Sequence, residues 1–328
     1  MDIEIGLIPQ GRKQNIWIDF LARAGLEADQ NVERTVLIWD EGELIATGSR
    51  QGNLLKCIAV DEFRQGEGLT ATILTQLRQD AFAAGYRHLF LYTKPKNQYM
   101  FSSLFFYPVA QTRDVLLMED KPNGIQSFLD SLTPQVCDGV VGAAVMNCNP
   151  FTLGHQHLIQ TAAAQCDRLY VFVLSEDKSQ FSATDRLALV KAGTAHLPNV
   201  TVLPTGPYLI SSATFPTYFL KDREQAQTVQ CLLDIEIFVR YYAPKFHITH
   251  RFVGTEPLSA MTDQYNKALM EHLPDKGIQL HLIPRLESEG IPISATTVRS
   301  LLSTGQKEAL AKLVPATTLE YLIKEELL

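Results

Sequence analysis

Residues 139–155 read Gly139-Val140-Val141-Gly142-Ala143-Ala144-Val145-Met146-Asn147-Cys148-Asn149-Pro150-Phe151-Thr152-Leu153-Gly154-His155. The first eight are apolar without alternation, the pattern of a parallel strand covered on both faces. Asn149-Pro150 then imposes a turn, because proline fixes its own φ and drives the preceding residue into an extended conformation. Gly154 lets the backbone pass close to a ligand, and 155–165 read as the helix that leaves the turn. A strand, a tight turn and a helix start make an anion site, since unpaired N–H groups and the helix dipole both favour negative charge there. Thr152 and His155 add a hydroxyl and an imidazole at the same place.

A second stretch, Ile293-Ser294-Ala295-Thr296-Thr297-Val298-Arg299, repeats the device far downstream. Ser294, Thr296 and Thr297 offer hydroxyls and amides at another helix start, and Arg299 brings a permanent cation whose fork suits phosphate oxygens. Between the two stretches, 168–174, 199–203, 249–253 and 279–283 read as strands, with helices from 182 to about 196 and over 228–242 and 265–272. Such alternation predicts a doubly wound parallel sheet, in which the first and last loops meet outside the carboxyl ends of the strands. Either stretch alone is an ordinary capped turn; together they describe one phosphate site. His155 is placed to stabilise charge at a phosphorus under attack, whereas His157, two positions on, points elsewhere and reads as structural.

The pair is similar to the T/H-x-G-H and I-S-S/T-x-x-R motifs of the HIGH-type nucleotidyltransferase superfamily, with Ala295 standing where serine or threonine is usual. That resemblance implies catalytic roles for His155, Thr152 and Arg299, ATP contacts from Asn149, Phe151, Gly154, Ser294, Thr296 and Thr297, and Gly254, Thr255 and Glu256 near the adenosine. Glu256 reads equally as a charge beside a helix. Lys178, in the polar exit of the second strand, is either a phosphate contact or a solvated loop lysine. The stretch 206–216 follows the third strand, and its Ser211 and Ser212 are either carboxylate ligands for a short acid or turn formers.

The first 120 residues have another rhythm. A helix over 15–26 precedes short alternating runs at 35–39, 43–48 and 54–60, which read as an antiparallel meander. Asp61-Glu62-Phe63-Arg64-Gln65-Gly66-Glu67-Gly68-Leu69-Thr70 then runs into a helix to about 84, followed by a strand at 88–93, an aromatic-rich helix at 97–106 and a last strand pair. Glycines at a helix start expose amides to a pyrophosphate. This order, with Gln65, Gly68 and Thr70 on a Q/R-x-x-G-x-G/A signature, is similar to the GCN5-related N-acetyltransferase fold. The resemblance implies that Gln65, Gly66 and Gly68 hold a CoA-like group; Thr70 departs from the small final residue. Tyr92, Tyr99 and Tyr107 lie near where a thiolate would leave but read equally as packing, and Asp61 and Glu62 as solvated loop acids, so amine acetylation is not assigned.

The chain has 328 residues, 46% hydrophobic and 20% charged, with a formal net charge of −7. That size fits two domains, expected at 1–121 and 138–328 with a linker over 122–137. The negative balance, with no basic stripe, excludes a sequence-independent nucleic-acid surface. Five scattered cysteines without a C-x-x-C pair indicate neither a disulfide framework nor a zinc site. No signal peptide and no stretch of roughly 18 apolar residues is present, so no membrane association and a cytoplasmic, reducing location are expected.

The fold class is therefore α/β: an N-terminal α+β acetyltransferase-like domain followed by a doubly wound, Rossmann-like nucleotidyltransferase domain. The combination resembles the citrate lyase ligase family across nearly the whole chain. It implies acetylation, driven by ATP with Mg²⁺ and with no tightly bound cofactor, of the thiol on the CoA-like prosthetic group of the citrate lyase acyl-carrier subunit. Acetyl-adenylate would be the intermediate, with AMP and pyrophosphate as products. Two alternatives remain open on the sequence: an adenylyltransferase acting on phosphopantetheine or a nicotinamide nucleotide, and a non-catalytic CoA-sensing module.

Overall fold

The computed structural model describes the chain apart from residues 30, 136, 177–178, 210–214, 221–222 and 256–259 and the side chains of 223–226 and 260–262. It forms two compact units, Met1–Ile125 with Pro216–Leu233, and Gln126–Phe215 with Asp234–Leu328. Within the range 138–328 expected for the second domain, 216–233 groups with the first unit. The reason is burial: the Tyr218 hydroxyl donates to the Tyr92 carbonyl (3.0 Å) and the Glu27 N–H donates to the Tyr218 carbonyl (2.7 Å). Local patterning shows that such a segment is buried, not which core it joins.

The first unit runs β1 Asp2–Gly6, α1 Arg12–Arg23, β2 Arg34–Asp40, β3 Glu43–Gln51, β4 Leu54–Val60, α2 Leu69–Ala83, β5 Phe90–Thr93, α3 Gln98–Ser103, β6 Tyr107–Gln111 and β7 Leu116–Glu119. Its seven strands lie in the order β1-β2-β3-β4-β5-β7-β6; β1 is an addition to the elements expected. Ile73, Leu74 and Leu77 of α2 are fully buried against Val36, Ile38, Ala46 and Leu55 of the sheet, and each such side chain contributes roughly 1.5–3 kcal/mol. The parallel pair β4 and β5 is joined only at Leu54–Phe90 and Leu55–Leu91. Beyond those residues the strands part.

Helix α4, Gly124–Ser131, occupies the expected linker. The second unit continues with β8 Val141–Met146, α5 Leu153–Ala163, β9 Arg168–Val173, α6 Ala183–Thr194 and β10 Val200–Pro204. After α7, Arg223–Ile237, come α8 Ala243–Phe246, β11 His250–Gly254, α9 Ala260–His272, β12 Gln279–Ile283, β13 Glu287–Ser288, β14 Ile291–Pro292, α10 Ala295–Ser303, α11 Lys307–Ala311 and α12 Ala316–Lys324. The helix expected over 228–242 changes character after Ile237, where Phe238–Tyr242 form a wider π-helical turn.

The parallel sheet has the order β10-β9-β8-β11-β12. One face buries Leu169, Val171 and Phe252 with Ile159 of α5 and Leu189 of α6. On the other, Tyr170 and Phe172 meet Phe246, and Phe172 also meets Tyr242. Helical residues on both faces make it doubly wound. The strand order reverses at β8, which pairs with β9 along its length but with β11 only at Gly142–His250 and Ala143–Arg251. The strands then diverge, leaving a crevice at the switch point, where open α/β sheets bind ligands.

Candidate functional site

The crevice opens into a cavity of about 620 Å³ lined from the ends of β8, β11 and β12, from the start of α5 and from 293–296. Thr152, Gly154, His155, Gly254, Ser294 and Thr296 all face it, so both sequence motifs contribute to one site.

Thr152 caps α5 and His155 closes the cap in return. The His155 N–H donates to Thr152 Oγ1 (3.3 Å), while the Thr152 N–H donates to His155 Nδ1 (3.1 Å). This is a capping box with histidine in the position usually held by glutamate or glutamine. With Nδ1 accepting, the neutral ring carries its proton on Nε2. Burial first, and the nearby Arg285 cation second, push the imidazole down to about 4. At neutral pH His155 is therefore an uncharged imidazole whose Nε2–H is free to donate without the ring being cationic. Phe151 stacks behind it, with ring centroids 6.0 Å apart.

Gly154 brings the two motifs together. A Cβ at this position would lie 3.1 Å from the Ile293 carbonyl oxygen, so the close approach is to the second motif's own backbone as well as to a ligand. Directly after Ile293, Ser294 caps α10, accepting from the Thr297 N–H (3.0 Å). The cavity thus has two helix starts on it, each with N–H groups suited to anions.

The remaining expected residues take supporting places. Phe151, expected to contact ATP, is fully buried in the core and is not among the residues that line the cavity. Asn149 accepts the Phe181 N–H through Oδ1 (3.1 Å) and receives Arg299 Nη1 on its carbonyl (2.5 Å). Arg299 also donates to Thr296 Oγ1 (3.0 Å), so it clamps the second motif onto the first instead of lining the cavity. Thr297 is held in the Ser294 cap. Thr255 accepts from Arg285 Nε through its carbonyl (2.9 Å). Lys178, Ser211, Ser212 and Glu256 lie outside the described residues.

Sequence reasoning missed Arg285, Tyr265, Asn266 and Arg251, all of which line the cavity. Asn266 Nδ2 donates to the Gly254 carbonyl (2.9 Å) and so fixes the β11 exit. The available signal was position: Arg285 follows the last strand at the ligand-binding edge, and Arg251 is a lone cation within a buried strand. Arg186 was also undervalued. It is fully buried and donates to the carbonyls of Phe181, Asn147, Leu174 and Glu176, tying the loops after β8 and β9 to the start of α6.

The first unit has its own cavity, of about 970 Å³, where β4 and β5 part. Gln65, Gly66 and Gly68 line it, with Thr70, Tyr92, Lys94 and Lys96. Gly68 caps α2 with φ +77° and no side-chain cap, leaving the first-turn N–H groups to a ligand. Asp61 caps the turn at Phe63 (2.9 Å) and Tyr99 is 88% exposed. Tyr92 is the expected tyrosine that is both buried and on the cavity wall.

A family model described as the citrate lyase ligase C-terminal domain matches residues 141–322. [Citrate [pro-3S]-lyase] ligase of Klebsiella pneumoniae is 40% identical over 311 residues, covering 93% of this chain and 91% of that protein. The protein of the same name from Escherichia coli K12 is 41% identical over 310 residues, covering 92% and 88%. That from Haemophilus influenzae is 37% identical over 321 residues, covering 95% and 96%. With this similarity along almost its entire length, the chain belongs to the citrate lyase ligase family and is an enzyme.

Proposed function

We propose that the chain activates citrate lyase by adenylating acetate and passing the acetyl group to the carrier thiol. A carboxylate oxygen of acetate bonds to the α-phosphorus of ATP, which enters as its Mg²⁺ complex. The bond to the bridging oxygen breaks, and pyrophosphate leaves with the electron pair. The thiol of the CoA-like group on the acyl-carrier subunit then attacks the acyl carbon; AMP departs and the thiol proton passes to solvent.

The convergence of two helix starts and the neutral Nε2 donor of His155 on one switch-point cavity carries this reading. Thr152, Gly154, Ser294 and Thr296 would cradle the phosphates, His155 would meet charge developing at the α-phosphorus, and Arg299 would hold the two motifs in register. Gly254 and Thr255 would flank the adenosine. In the first unit, Gln65, Gly66 and Gly68 would take the pyrophosphate of the prosthetic arm. Among the described residues no helix is long and apolar enough to cross a membrane; a cytoplasmic site of action is part of the proposal.

The deciding experiment is acetate-dependent exchange of labelled pyrophosphate into ATP. Exchange that requires acetate supports adenylation. AMP retained in a nucleotide product would instead favour the small-molecule adenylyltransferase.

A further inference from the structure

Below the phosphate motifs, at the vertex where β8 and β11 separate, stands Arg251. It is the last β11 residue paired with β8, it is 2% exposed, and it lines the cavity. Its guanidinium lies 4.6 Å from the centroid of the Phe238 ring. Among the described residues, neither Nε nor Nη1 has a hydrogen-bond partner. Asp234 is close enough to feel the arginine's charge, yet its Oδ2 accepts from the Tyr265 hydroxyl (2.6 Å) and not from those two N–H groups. A buried cation with unanswered donors is unfavourable until an anion supplies acceptors.

We propose that Arg251 is the receptor for the carboxylate of the short acid activated in this cavity, an inference that rests on the adenylation reading above. Its depth separates it from the phosphate site. It precedes Gly254 by three residues, roughly 10 Å down the strand, whereas phosphates gather at the rim where α5 and α10 begin. Its surroundings make the same distinction: Val145 and Val253 line the cavity and Phe238 covers the guanidinium. These apolar groups suit a methyl and offer no donors to the further oxygens of a phosphate. One edge of the planar guanidinium, Nη2 with Nε or with Nη1, matches a carboxylate bidentately, leaving a lone pair of the acid free to face the α-phosphorus.

The test measures native chain, Arg251→Lys and Arg251→Gln by acetate-dependent pyrophosphate exchange and by equilibrium dialysis of labelled acetate with a non-hydrolysable ATP analogue present. The KM for acetate should rise about 30-fold or more in Arg251→Gln, while the KM for ATP stays within about twofold. Arg251→Lys, which keeps the charge and loses the fork, should retain part of the acetate binding. An unchanged acetate KM, or a rise confined to ATP, overturns the proposal. Should both variants fail to melt cooperatively, a crystal structure of the native chain with acetate and the analogue decides: acetate oxygens within hydrogen-bond distance of the Arg251 guanidinium support it, and acetate seated elsewhere overturns it. The two readings fail separately. Acetate bound at Arg251 without any exchange sinks adenylation and keeps the receptor, whereas exchange indifferent to Arg251 does the converse.

Discussion

At the scale of single residues, His155 combines a structural role in the α5 cap with the chemical role proposed for it, and substitution can separate the two. Glutamine at this position keeps an acceptor for the Thr152 N–H, whereas alanine removes it. Both His155→Gln and His155→Ala should lower pyrophosphate exchange by about 10²–10³-fold, the scale of removing one preorganised donor. Only the alanine variant should also lose about 1 kcal/mol in urea melts, the usual weight of a helix cap. Titration gives a second prediction. The folded pKa of His155, about 4, lies below its ordinary 6.5, so its contribution to stability is present above pH 6.5 and is lost as pH falls toward 4. Asp234 runs the other way: burial raises it to about 6 from 3.8, so its contribution is present below pH 3.8 and is lost as pH rises through 6. Urea midpoints measured across pH 4 to 7 should lose acid sensitivity in His155→Gln and fall less with rising pH in Asp234→Asn. Residue types were legible in the motifs; the protonation state of His155 was not, because its burial and, after that, the approach of Arg285 arise only through the fold.

Elements bring the motifs to bear on one another. Gly154 lies in the first turn of α5, where alanine would ordinarily be the better helix former by up to about 1 kcal/mol. Here the added methyl would press on the Ile293 carbonyl, a backbone atom 3.1 Å away. Gly154→Ala should therefore destabilise by roughly 1–3 kcal/mol, as overpacking does, and reduce exchange, with thermal melts and the exchange assay as the checks. An increase in Tm would show that the second motif yields freely. The elements of the second unit were readable because buried parallel strands alternate with capped helices. The π-helical turn at Phe238–Tyr242 was not; there Phe238 meets Arg251 and Tyr242 meets Phe172, contacts between residues distant in sequence.

For the whole molecule, each unit carries one half-reaction in the proposed scheme, and either can be tested without disturbing the other. Gly68 adopts φ +77°, and among the described residues no atom lies within 4 Å of where a methyl would stand; aspartate tolerates that conformation better than most residues. Gly68→Asp should place a negative charge on the anion-binding helix start while the fold survives. Acetylation of the carrier thiol should then fall by about tenfold or more, the cost of one misplaced charge near a phosphate, with acetate-dependent exchange unaltered. Exchange that falls in parallel would argue against the division of labour.

Strand periodicity and two short capped motifs determined the α/β class and the alternation that brings both motifs to one edge of the parallel sheet. These are local properties, written in hydrophobic period, proline, glycine and capping residues. Tertiary structure alone decided that Pro216–Leu233 joins the first unit, that Arg299 clamps the loop at Asn149 while Phe151 backs His155, and that Arg251 stands buried at the vertex of the crevice, its Nε and Nη1 without hydrogen-bond partners among the described residues. Burial, partnership and charge proximity depend on residues distant in sequence, so they come into being only when the chain closes on itself.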